Sequence, residues 1–397
     1  MVSDRDAAGP HVFLVAGEES GDRLGAALIG ALRQRTQERV RLSGVGGARM
    51  AEQGVPSLFP LGDLAIMGFG GVVSGLPKIL ARIAQTADAI ATAKPDALVI
   101  IDSPDFTHRV ARRVRAGNAS IPIVDYVCPS VWAWRPGRAR AMRGYVDLVL
   151  ALLPFEPAVM QRLGGPPCDY VGHPLGERVG DLRPNAEEAR RRLANPPLLL
   201  VMPGSRTGEI RRMAGVFGEA VALLNQRLGV LDVVVPAVPR LEQTVKAAVA
   251  SWRVPVRVVV EQTEKDASFR TARAALTKSG TSTLELSVAG VPMVAGYRMS
   301  PFEELISRLM IKLDSVILAN LVLGENIVPE FLRGDMRPDR LAAALTPLMG
   351  DTPERRRQTE AFARLDSIME IGRADPSDRA ARLVLDFAGG RSSPTLA

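Results

Sequence analysis

The stretch LVIIDSPDFTHR, residues 98–109, contains the pattern that decides the fold of this chain. It begins with apolar residues that are typical of a strand covered on both faces of a sheet. The run ends abruptly at Asp102; Ser103 is then suited to cap a helix, and Pro104 to occupy its first position. Asp105 falls in the first turn, where the helix dipole favours a negative charge. The stretch therefore predicts a buried strand followed at once by a helix.

The same alternation of strand and helix recurs along most of the chain. It is typical of parallel sheets with right-handed crossovers. The pattern restarts after residues 173–197, which are polar, contain prolines and are rich in arginine. We therefore predict an α/β protein with two doubly wound domains, a boundary near 174–196, and only helices from about residue 338. The predicted strands are Val12–Ala16, Ala97–Ile101, Ile121–Val127, Leu148–Leu153, Leu198–Met202, Val230–Val235, Val254–Val260, Ala274–Thr277 and Met293–Ala295.

The composition limits the classes of protein to which the chain can belong. Its 397 residues are 47% hydrophobic and 23% charged, as in a globular protein with a large core. Cys128 and Cys168 are too few for a disulfide framework or a zinc site built from thiolates, and we expect neither a metal nor a cofactor. The first residues lack the apolar region of a signal peptide, and no run reaches the roughly 18–20 apolar residues of a spanning helix. We expect a soluble protein of the cytoplasm.

Asp102 has no local structural explanation as good as that of Asp105, because it lies at the end of the strand and not within the helix. An ionised carboxylate at the edge of a ligand crevice is a candidate general base. A metal site formed by both aspartates is the alternative, although no further cluster of ligands supports it. The sequence therefore favours acid–base chemistry at Asp102.

Four further loops follow predicted strands and contain residues suited to ligands. GEESGD at 17–22 and PGSR at 203–206 precede helices, so that backbone N–H groups can approach an anion, and the arginine adds a fork of donors. KSGT at 278–281 offers donors for a diphosphate, and Glu285 is suited to accept the hydroxyls of a ribose. The aromatic stretch 126–143 is suited to form the wall of a sugar or anion site. Ordinary turns, capped helices and a packed aromatic loop are the alternative interpretations.

Taken together, these stretches resemble the lipid-A-disaccharide synthases, a family of bacterial glycosyltransferases. The matching motifs run in the family's order over about residues 12–335, and YVCPSVWAWR is distinctive by itself. They are GEESGD (17–22), GVGGARM (44–50), LAIMG (64–68), IDSPDF (101–106), YVCPSVWAWR (126–135), LPFE (153–156), VGHP (171–174), PGSRTGEI (203–210), KSGTSTLE (278–285), GYRMSPF (296–302) and PE (329–330).

The resemblance implies a glycosyltransferase-B fold, with two Rossmann-like doubly wound domains and an interdomain cleft. Residues 1–175 are expected to bind the acceptor and 176–340 the UDP-sugar. The helices of 341–397 are expected to pack on an N-terminal domain, of the same chain or of a partner in a homodimer. The implied reaction is inverting and independent of metal: UDP-2,3-diacylglucosamine and 2,3-diacylglucosamine 1-phosphate give the β(1→6) disaccharide 1-phosphate and UDP. The resemblance also implies peripheral association with the anionic inner-membrane surface on its cytoplasmic side.

Positions that match the family's motifs carry its roles onto single residues. Asp102 corresponds to the base that takes the proton from the acceptor hydroxyl. Glu18 is the second candidate catalytic residue, with support of either the acceptor or the base as its role. The chain departs from the family at Ala319, where proline is frequent, and after LAIMG. There the apolar segment 66–76 is a candidate for acyl-chain or membrane contact, with the buried start of a helix as the alternative. The expected UDP-binding residues are Ser205, Arg206, Ser279, Gly280, Thr281, Glu285 and Asn320. The expected acceptor-binding residues are Ser20, Gly21, Met67, Trp132 and Arg135.

Three other functions remain as alternatives at this level. A UDP-sugar epimerase or another glycosyltransferase would share the fold. The net charge of +7 suits nucleic acid as well as phosphorylated substrates and acidic lipid headgroups, but the sequence contains no zinc finger, RNP motif or basic tail. A nicotinamide oxidoreductase is least favoured, because no GxGxxG follows any predicted strand. We therefore expect phosphorylated acyl sugars as substrates and no nucleic acid as partner.

Overall fold

The computed structural model of the chain describes residues 9–64, 72–298, 315–373 and 375–390. The chain forms two units, each with its own core. Unit 1 comprises the chain up to Pro174 together with the segment from Arg373 onward, and unit 2 comprises Leu175–Gly372. The passage from unit 1 to unit 2 lies at the start of the polar stretch 173–197.

The described residues form twelve strands, seventeen α-helices and four short 3-10 helices. The strands are β1 His11–Ala16, β2 Arg41–Val45, β3 Ala97–Ile101, β4 Ile123–Tyr126, β5 Leu148–Ala151, β6 Cys168–Tyr170, β7 Leu198–Met202, β8 Asp232–Pro236, β9 Val256–Val259, β10 Ala274–Lys278, β11 Met293–Tyr297 and β12 Glu330–Leu332. The helices are α1 Glu19–Thr36, α2 Ala48–Glu52, α3 Val72–Ala93, α4 Pro104–Gly117, α5 Gly137–Met142, α6 Glu156–Arg162, α7 Val179–Leu182, α8 Ala186–Leu193, α9 Thr207–Leu228, α10 Glu242–Val249, α11 Gln262–Thr271, α12 Thr281–Val288, α13 Leu318–Leu323, α14 Pro338–Leu348, α15 Pro353–Ala363, α16 Leu365–Ile368 and α17 Pro376–Ala388. The 3-10 helices are Leu61–Asp63, Pro174–Arg178, Pro239–Leu241 and Arg333–Asp335.

Unit 1 is a doubly wound sheet of six parallel strands in the order β2-β1-β3-β4-β5-β6. Helices cover both faces of this sheet, and alternate residues of β1 point to opposite faces. Val12 and Leu14 belong to a core that includes residues of α1 and α17, whereas Phe13 and Val15 belong to a core with residues of α3 and α4. The chain direction across the sheet reverses between β1 and β3, and ligands of such sheets bind at the carboxyl ends of the strands at this switch point.

Unit 2 repeats the architecture with six parallel strands in the order β12-β11-β10-β7-β8-β9. This is the strand order of dinucleotide-binding sheets, and its switch point lies between β7 and β10. The predicted α/β class with two doubly wound domains is therefore confirmed. No helix within the described ranges combines the length and apolar character that crossing a bilayer requires.

Three strands that the sequence did not predict are all edge strands. They are β2, β6 and β12, with the sequences RLSGV, CDY and EFL. Edge strands are short and carry charged or polar residues, since only one side of the backbone is paired and water reaches the other. Such strands lack the continuous apolar run by which the central strands were recognised.

The C-terminal segment is divided between the two units. Helices α14 to α16 belong to unit 2, whereas α17 packs against α1 in unit 1. Arg35 on α1 donates from Nε and Nη2 to the two carboxylate oxygens of Asp378 on α17, at 2.5 and 2.6 Å. Side chains of Ala380, Ala381 and Val384 complete the core beneath α1. The last helix is therefore an integral part of unit 1.

Candidate active site

Asp102 follows the last residue of β3, at the switch point of unit 1. Its backbone lies in the left-handed region with φ 55°. The Asp102 N–H donates to the carbonyl of Tyr126 at 3.1 Å, and its own carbonyl accepts from Oγ1 of Thr107 at 2.7 Å. A non-glycine residue in this conformation persists where its surroundings hold it, and such residues concentrate at functional sites.

The carboxylate of Asp102 is oriented by two hydrogen bonds. Ser20 Oγ donates to Oδ2 at 2.7 Å, and the backbone N–H of Ser103 donates to Oδ1 at 2.7 Å. The first bond joins the motifs GEESGD and IDSPDF, which lie at the ends of neighbouring strands. A carboxylate has about four acceptor positions, so these two bonds leave Asp102 able to accept a proton from a substrate hydroxyl.

The start of α4 differs in one respect from the prediction. The side chain of Ser103 makes no capping hydrogen bond, and its φ of 48° departs from the extended backbone usual at a cap. The predicted serine cap is therefore wrong; the serine carbonyl accepts from the N–H groups of Phe106 and Thr107 at 3.0 and 3.1 Å. Pro104 at the first position and Asp105 in the first turn are confirmed.

The other residues of GEESGD divide between exposed and packed positions. Glu18 lies exposed at the start of α1. Gly21 is buried, and a Cβ there would lie 3.0 Å from the carbonyl oxygen of Ile101, so glycine lets α1 approach β3 closely. Asp22, which the sequence did not single out, accepts from the N–H of Arg49 in the first turn of α2 at 3.0 Å and so caps this helix. Gly21 and Asp22 thus have packing roles beside the exposed Glu18.

A buried polar cluster lies next to the strand end that carries Asp102. Asp125 on β4 is fully buried, with Oδ2 3.1 Å from Nε2 of His108, and Nδ1 of His108 is 3.0 Å from the hydroxyl of Tyr145. Burial raises the pKa of Asp125, the nearby His108 lowers it, and the charge of Asp102 raises it. The sequence did not reveal this pair, because its members lie on different elements of an apolar region.

The side chain of Trp132 packs against other residues of unit 1. Its indole Nε1 donates to Oε1 of Glu156 at 3.1 Å, and its ring meets that of Phe155 edge-on at 5.5 Å. Glu156 also accepts from the N–H of Leu153 at 3.0 Å. Burial raises the pKa of Glu156 to about 7. The glutamate of LPFE therefore anchors the tryptophan loop, and the indole N–H of Trp132 is already used within the protein.

Trp134, two residues further on, is the exposed tryptophan of this loop. The guanidinium carbons of Arg135 and Arg138 lie 4.4 and 5.7 Å from its ring centroid. Arg135 has a left-handed backbone with φ 53°. Arg138 is also 3.5 Å from Oδ1 of Asp105, which places the cluster near the first turn of α4. The structure therefore brings Arg135 together with Trp134, a residue that the sequence prediction passed over in favour of Trp132.

The PGSR loop of unit 2 connects β7 to the long helix α9. Ser205 and Arg206 are exposed, and Arg206 occupies the residue before the helix. Gly204 has φ 134°, a region that side chains rarely adopt. Glu209, in the first turn, is buried and accepts from the N–H of Ser205 at 3.0 Å. The loop thus exposes Ser205 and Arg206 at the N-terminus of α9. The carboxylate of Glu209 holds the loop backbone through its hydrogen bond to the N–H of Ser205.

The KSGT loop follows β10, the strand next to β7. The hydroxyl of Ser279 donates to the carbonyl of Val316 at 3.1 Å. Gly280 has φ 154° and precedes α12, whose first residue, Thr281, is exposed. Nζ of Lys278 lies 2.9 Å from Oε1 of Glu209. The PGSR and KSGT loops are therefore linked through one ion pair, which sequence inspection did not identify.

Glu285 and Asn320 occupy different environments. Glu285 on α12 is half-buried, and its Oε1 lies 3.7 Å from Nη1 of Arg178, which pairs more closely with Asp266 at 2.7 Å. The buried amide of Asn320 donates to the carbonyl of Val328 at 3.0 Å and accepts from the same residue's N–H at 2.9 Å. Asn320 therefore fixes the segment before β12. The role of either residue in binding UDP stays a prediction.

Met67, and with it residues 66–71 of the apolar segment 66–76, lie outside the described residues. Among the residues that the structure describes, histidine, cysteine, aspartate and glutamate side chains form no group of three or more that could hold a metal ion.

Known proteins of one family match this chain over nearly its whole length. The family model described as lipid-A-disaccharide synthetase matches residues 12–382. A lipid-A-disaccharide synthase from Nitrobacter hamburgensis is 60% identical over 384 residues, which cover 97% of this chain and 97% of that protein. At this identity and coverage the relationship extends over both units.

Solved structures show the same fold at much lower identity. A UDP-GlcNAc 2-epimerase from Neisseria meningitidis, bound to UDP-GlcNAc, has a TM-score of 0.63 at 13% identity and covers 95% of this chain and 100% of that one. Acinetobacter baumannii MurG has a TM-score of 0.58 at 16% identity, with 95% and 99% covered. Both support the glycosyltransferase-B fold, and the full-length family match shows that the chain belongs to the lipid-A-disaccharide synthetase family.

Proposed function

We propose that the protein transfers 2,3-diacylglucosamine from its UDP conjugate to 2,3-diacylglucosamine 1-phosphate, forming the β(1→6) disaccharide 1-phosphate and UDP. Membership of the lipid-A-disaccharide synthetase family supports this reaction. The observation that carries the mechanism is the carboxylate of Asp102, held by Ser20 at 2.7 Å at the switch point of unit 1. A fixed, half-buried carboxylate at this position is suited to act as a general base.

In the proposed reaction the oxygen of the acceptor 6-hydroxyl attacks the anomeric carbon from the side opposite the diphosphate. A new carbon–oxygen bond forms as the bond to the diphosphate breaks, and its electron pair leaves with UDP. The hydroxyl proton passes to the carboxylate of Asp102. Attack and departure on opposite sides invert the anomeric configuration, which yields the β linkage from an α-linked donor.

Unit 2 supplies the groups that we assign to UDP. The exposed Arg206 and the N-termini of α9 and α12 are suited to a diphosphate, because unpaired N–H groups and an arginine fork favour anions. These groups stabilise the charge that develops as UDP leaves. Glu285 is the candidate ligand of the ribose. Ser279 and Asn320, whose polar atoms bond to residues 316 and 328, contribute by holding the segment 315–328 beside the loop.

Unit 1 supplies the groups that we assign to the acceptor. Ser20 and Trp134 are exposed near Asp102 and Asp105, respectively. The pair of guanidinium groups around Trp134 provides positive charge for the 1-phosphate of the acceptor, in the manner of arginine forks in phosphate sites. In this assignment Trp134 takes the place that the sequence had suggested for Trp132.

Peripheral membrane association forms part of the proposal. Leu76 and Leu80 on α3 are 42% and 50% exposed and lie four residues apart, on one face of the helix. Lys78, although exposed, lies on another side of the helix and pairs with Asp63 at 2.6 Å, so the proposed contact rests on the two leucines. Replacing both leucines by serine should weaken binding to vesicles of anionic phospholipid, and unchanged binding would contradict this contact.

The catalytic assignment is tested with Asp102→Ala, and with Asp105→Ala as the matched control at the neighbouring carboxylate. Release of UDP is measured with both acylated sugars present and with the donor alone. We expect Asp102→Ala to lose at least about a hundred-fold in kcat, the lower range for a general base, and to keep its affinity for UDP. Asp105→Ala should retain most activity. Full activity of Asp102→Ala would overturn the base assignment, and acceptor-independent turnover of the donor would favour an epimerase.

The nucleotide assignment is tested by the binding of UDP to Arg206→Ala, with Arg211→Ala as the control. Both arginines are exposed at the start of α9, but only Arg206 belongs to the loop. A lost charge-assisted hydrogen bond should raise the Kd for UDP by about ten-fold or more. Equal affinities of the two variants would remove Arg206 from the site.

A further inference from the structure

We infer that Lys278 and Glu209 belong to the nucleotide site: Lys278 supplies an ammonium group to the diphosphate of the leaving UDP, and Glu209 is the residue that positions it. This inference rests on the proposed function and adds two residues to its donor site. Neither residue was among those that the motifs assigned to UDP. It depends on contacts within unit 2 alone.

The two loops that the ion pair joins start side by side. β7 and β10 are hydrogen-bonded neighbours with Met202 paired to Thr277. The PGSR and KSGT loops therefore begin at the same carboxyl edge of the sheet, at the switch point where doubly wound sheets bind their ligands. A charged group placed between these loops is within the region expected for the diphosphate.

Glu209 is a buried residue that contacts the backbone of the PGSR loop. Its side chain is 6% exposed, and Oε2 accepts from the N–H of Ser205 at 3.0 Å. A Cβ on Gly204 would lie 2.6 Å from both Oε2 and Cβ of Glu209, so the loop can wrap the carboxylate only because this residue is glycine. The carboxylate therefore has a fixed position relative to the PGSR backbone.

Lys278 extends from the other loop to the same carboxylate. Its Nζ lies 2.9 Å from Oε1 of Glu209 and 5.5 Å from the ring centroid of Tyr297. A Cβ placed on Gly280 would be 3.4 Å from Nζ, so the ammonium group lies directly beside the glycine of KSGT. The side chain of Lys278 is 21% exposed, which leaves the group accessible at the edge. An ammonium has three donors, and the bond to Glu209 uses one.

The arrangement suits a leaving group whose charge grows during the reaction. An ammonium held by a buried carboxylate is already oriented before the substrate arrives. Cationic groups fixed in advance stabilise developing charge without reorganisation during bond cleavage. The paired carboxylate also balances the lysine charge in the empty site, which limits the affinity for UDP after the reaction. The alternative is a purely structural pair, since an acid in the first turn also stabilises α9.

The decisive comparison is between Glu209→Gln and the double variant Lys278→Met/Glu209→Gln. The two proteins share the same uncharged residue at 209 and differ only in the ammonium, so neither contains an unpaired buried carboxylate. Lys246→Met is the matched control, because Lys246 forms a similar pair with Glu242 on the surface helix α10. For each protein we would measure the Kd for UDP, kcat with both acylated sugars, and the thermal midpoint.

We expect the double variant to bind UDP about ten-fold more weakly than Glu209→Gln, with kcat at least about ten-fold lower, as the loss of one charge-assisted hydrogen bond implies. Glu209→Gln alone should lower kcat, because the ammonium is no longer held, while its Kd for UDP stays within about two-fold of wild type or decreases. Lys246→Met should match wild type in both constants.

Two results would overturn the inference. One is a double variant with the Kd and kcat of Glu209→Gln. The other is a set of variants that differ from wild type in thermal midpoint alone. Failure of the proposed function has a separate signature: wild-type protein would then bind no UDP or form no disaccharide. If wild type is active and Asp102→Ala is not, the proposed function stands whatever the lysine variants show.

Discussion

Glu156 provides a quantitative test of how the tryptophan loop is held. Its carboxyl group is buried, and its two oxygens accept from Nε1 of Trp132 and from the N–H of Leu153. Burial raises its pKa from 4.5 to about 7, an effect that the two hydrogen bonds only partly oppose. Between about pH 4.5 and pH 7, residue 156 therefore binds about one more proton in the folded protein than in the unfolded chain.

The direction of the pH dependence follows from that difference in bound protons. The free energy of unfolding falls as pH rises wherever the folded state binds more protons. The contribution of Glu156 is therefore complete below about pH 4.5 and is lost as pH rises through about 7. The folded and unfolded values differ by about 2.5 pH units, which corresponds to about 3 kcal/mol because one pH unit is equivalent to about 1.4 kcal/mol.

The perturbation is Glu156→Gln, an uncharged residue of nearly equal size. An amide has one oxygen, so the variant loses one of the two hydrogen bonds and should be less stable than wild type at pH 5, by about 1–2 kcal/mol. The stability advantage of wild type should then shrink by about 2.5 kcal/mol between pH 5 and pH 8, because part of the full effect is already lost at pH 5. The variant should therefore be the more stable protein at pH 8.

Urea unfolding, followed by tryptophan fluorescence at several pH values, gives the free energies that are needed. Glu360→Gln, the same replacement at an exposed glutamate of α15, controls for the chemical change. A wild-type-minus-variant difference for Glu156→Gln that stays constant from pH 5 to pH 8 would refute the reasoning, because it would show that the buried carboxyl is ionised throughout.

Two further substitutions test the contacts described above. Ser20→Ala removes the hydroxyl that orients Asp102 and should lower kcat roughly five-fold, as the loss of about 1 kcal/mol implies; an unchanged kcat would remove Ser20 from the site, and UDP affinity should not change. Gly218→Ala places a Cβ 2.4 Å from the indole of the buried Trp252 and should destabilise unit 2 by about 1–3 kcal/mol. Gly215→Ala on the same helix meets no atom within 4 Å and should stabilise by up to about 1 kcal/mol; denaturant midpoints that moved the same way in both would contradict the packing argument.

Several residues illustrate why motif position alone does not assign a role. Trp132 and Trp134 are two residues apart in an irregular loop, where no helical or strand period indicates which one faces the protein. The structure directs Trp132 to Glu156 and leaves Trp134 at the surface. Likewise the hydroxyl of Ser279 bonds to residue 316, a contact across 37 positions that the KSGT motif does not reveal.

The sequence by itself determined the central strands, the helices that follow them and the motifs at the strand ends. These features depend on short-range patterns: apolar runs, Pro104 at a helix start, and small residues before α1, α9 and α12. The same patterns sufficed for the α/β class, and the order of the motifs sufficed for the family resemblance.

Only the tertiary structure decided which of these motifs meet. Ser20 and Asp102 are 82 positions apart, and Glu209 and Lys278 are 69 apart, yet each pair forms a hydrogen bond. Both contacts exist because the order of the parallel strands makes β1 the neighbour of β3 and β7 the neighbour of β10. Strand order depends on how whole elements pack against each other, which no short stretch of sequence encodes, and it is this packing that turns separate loop motifs into candidate sites.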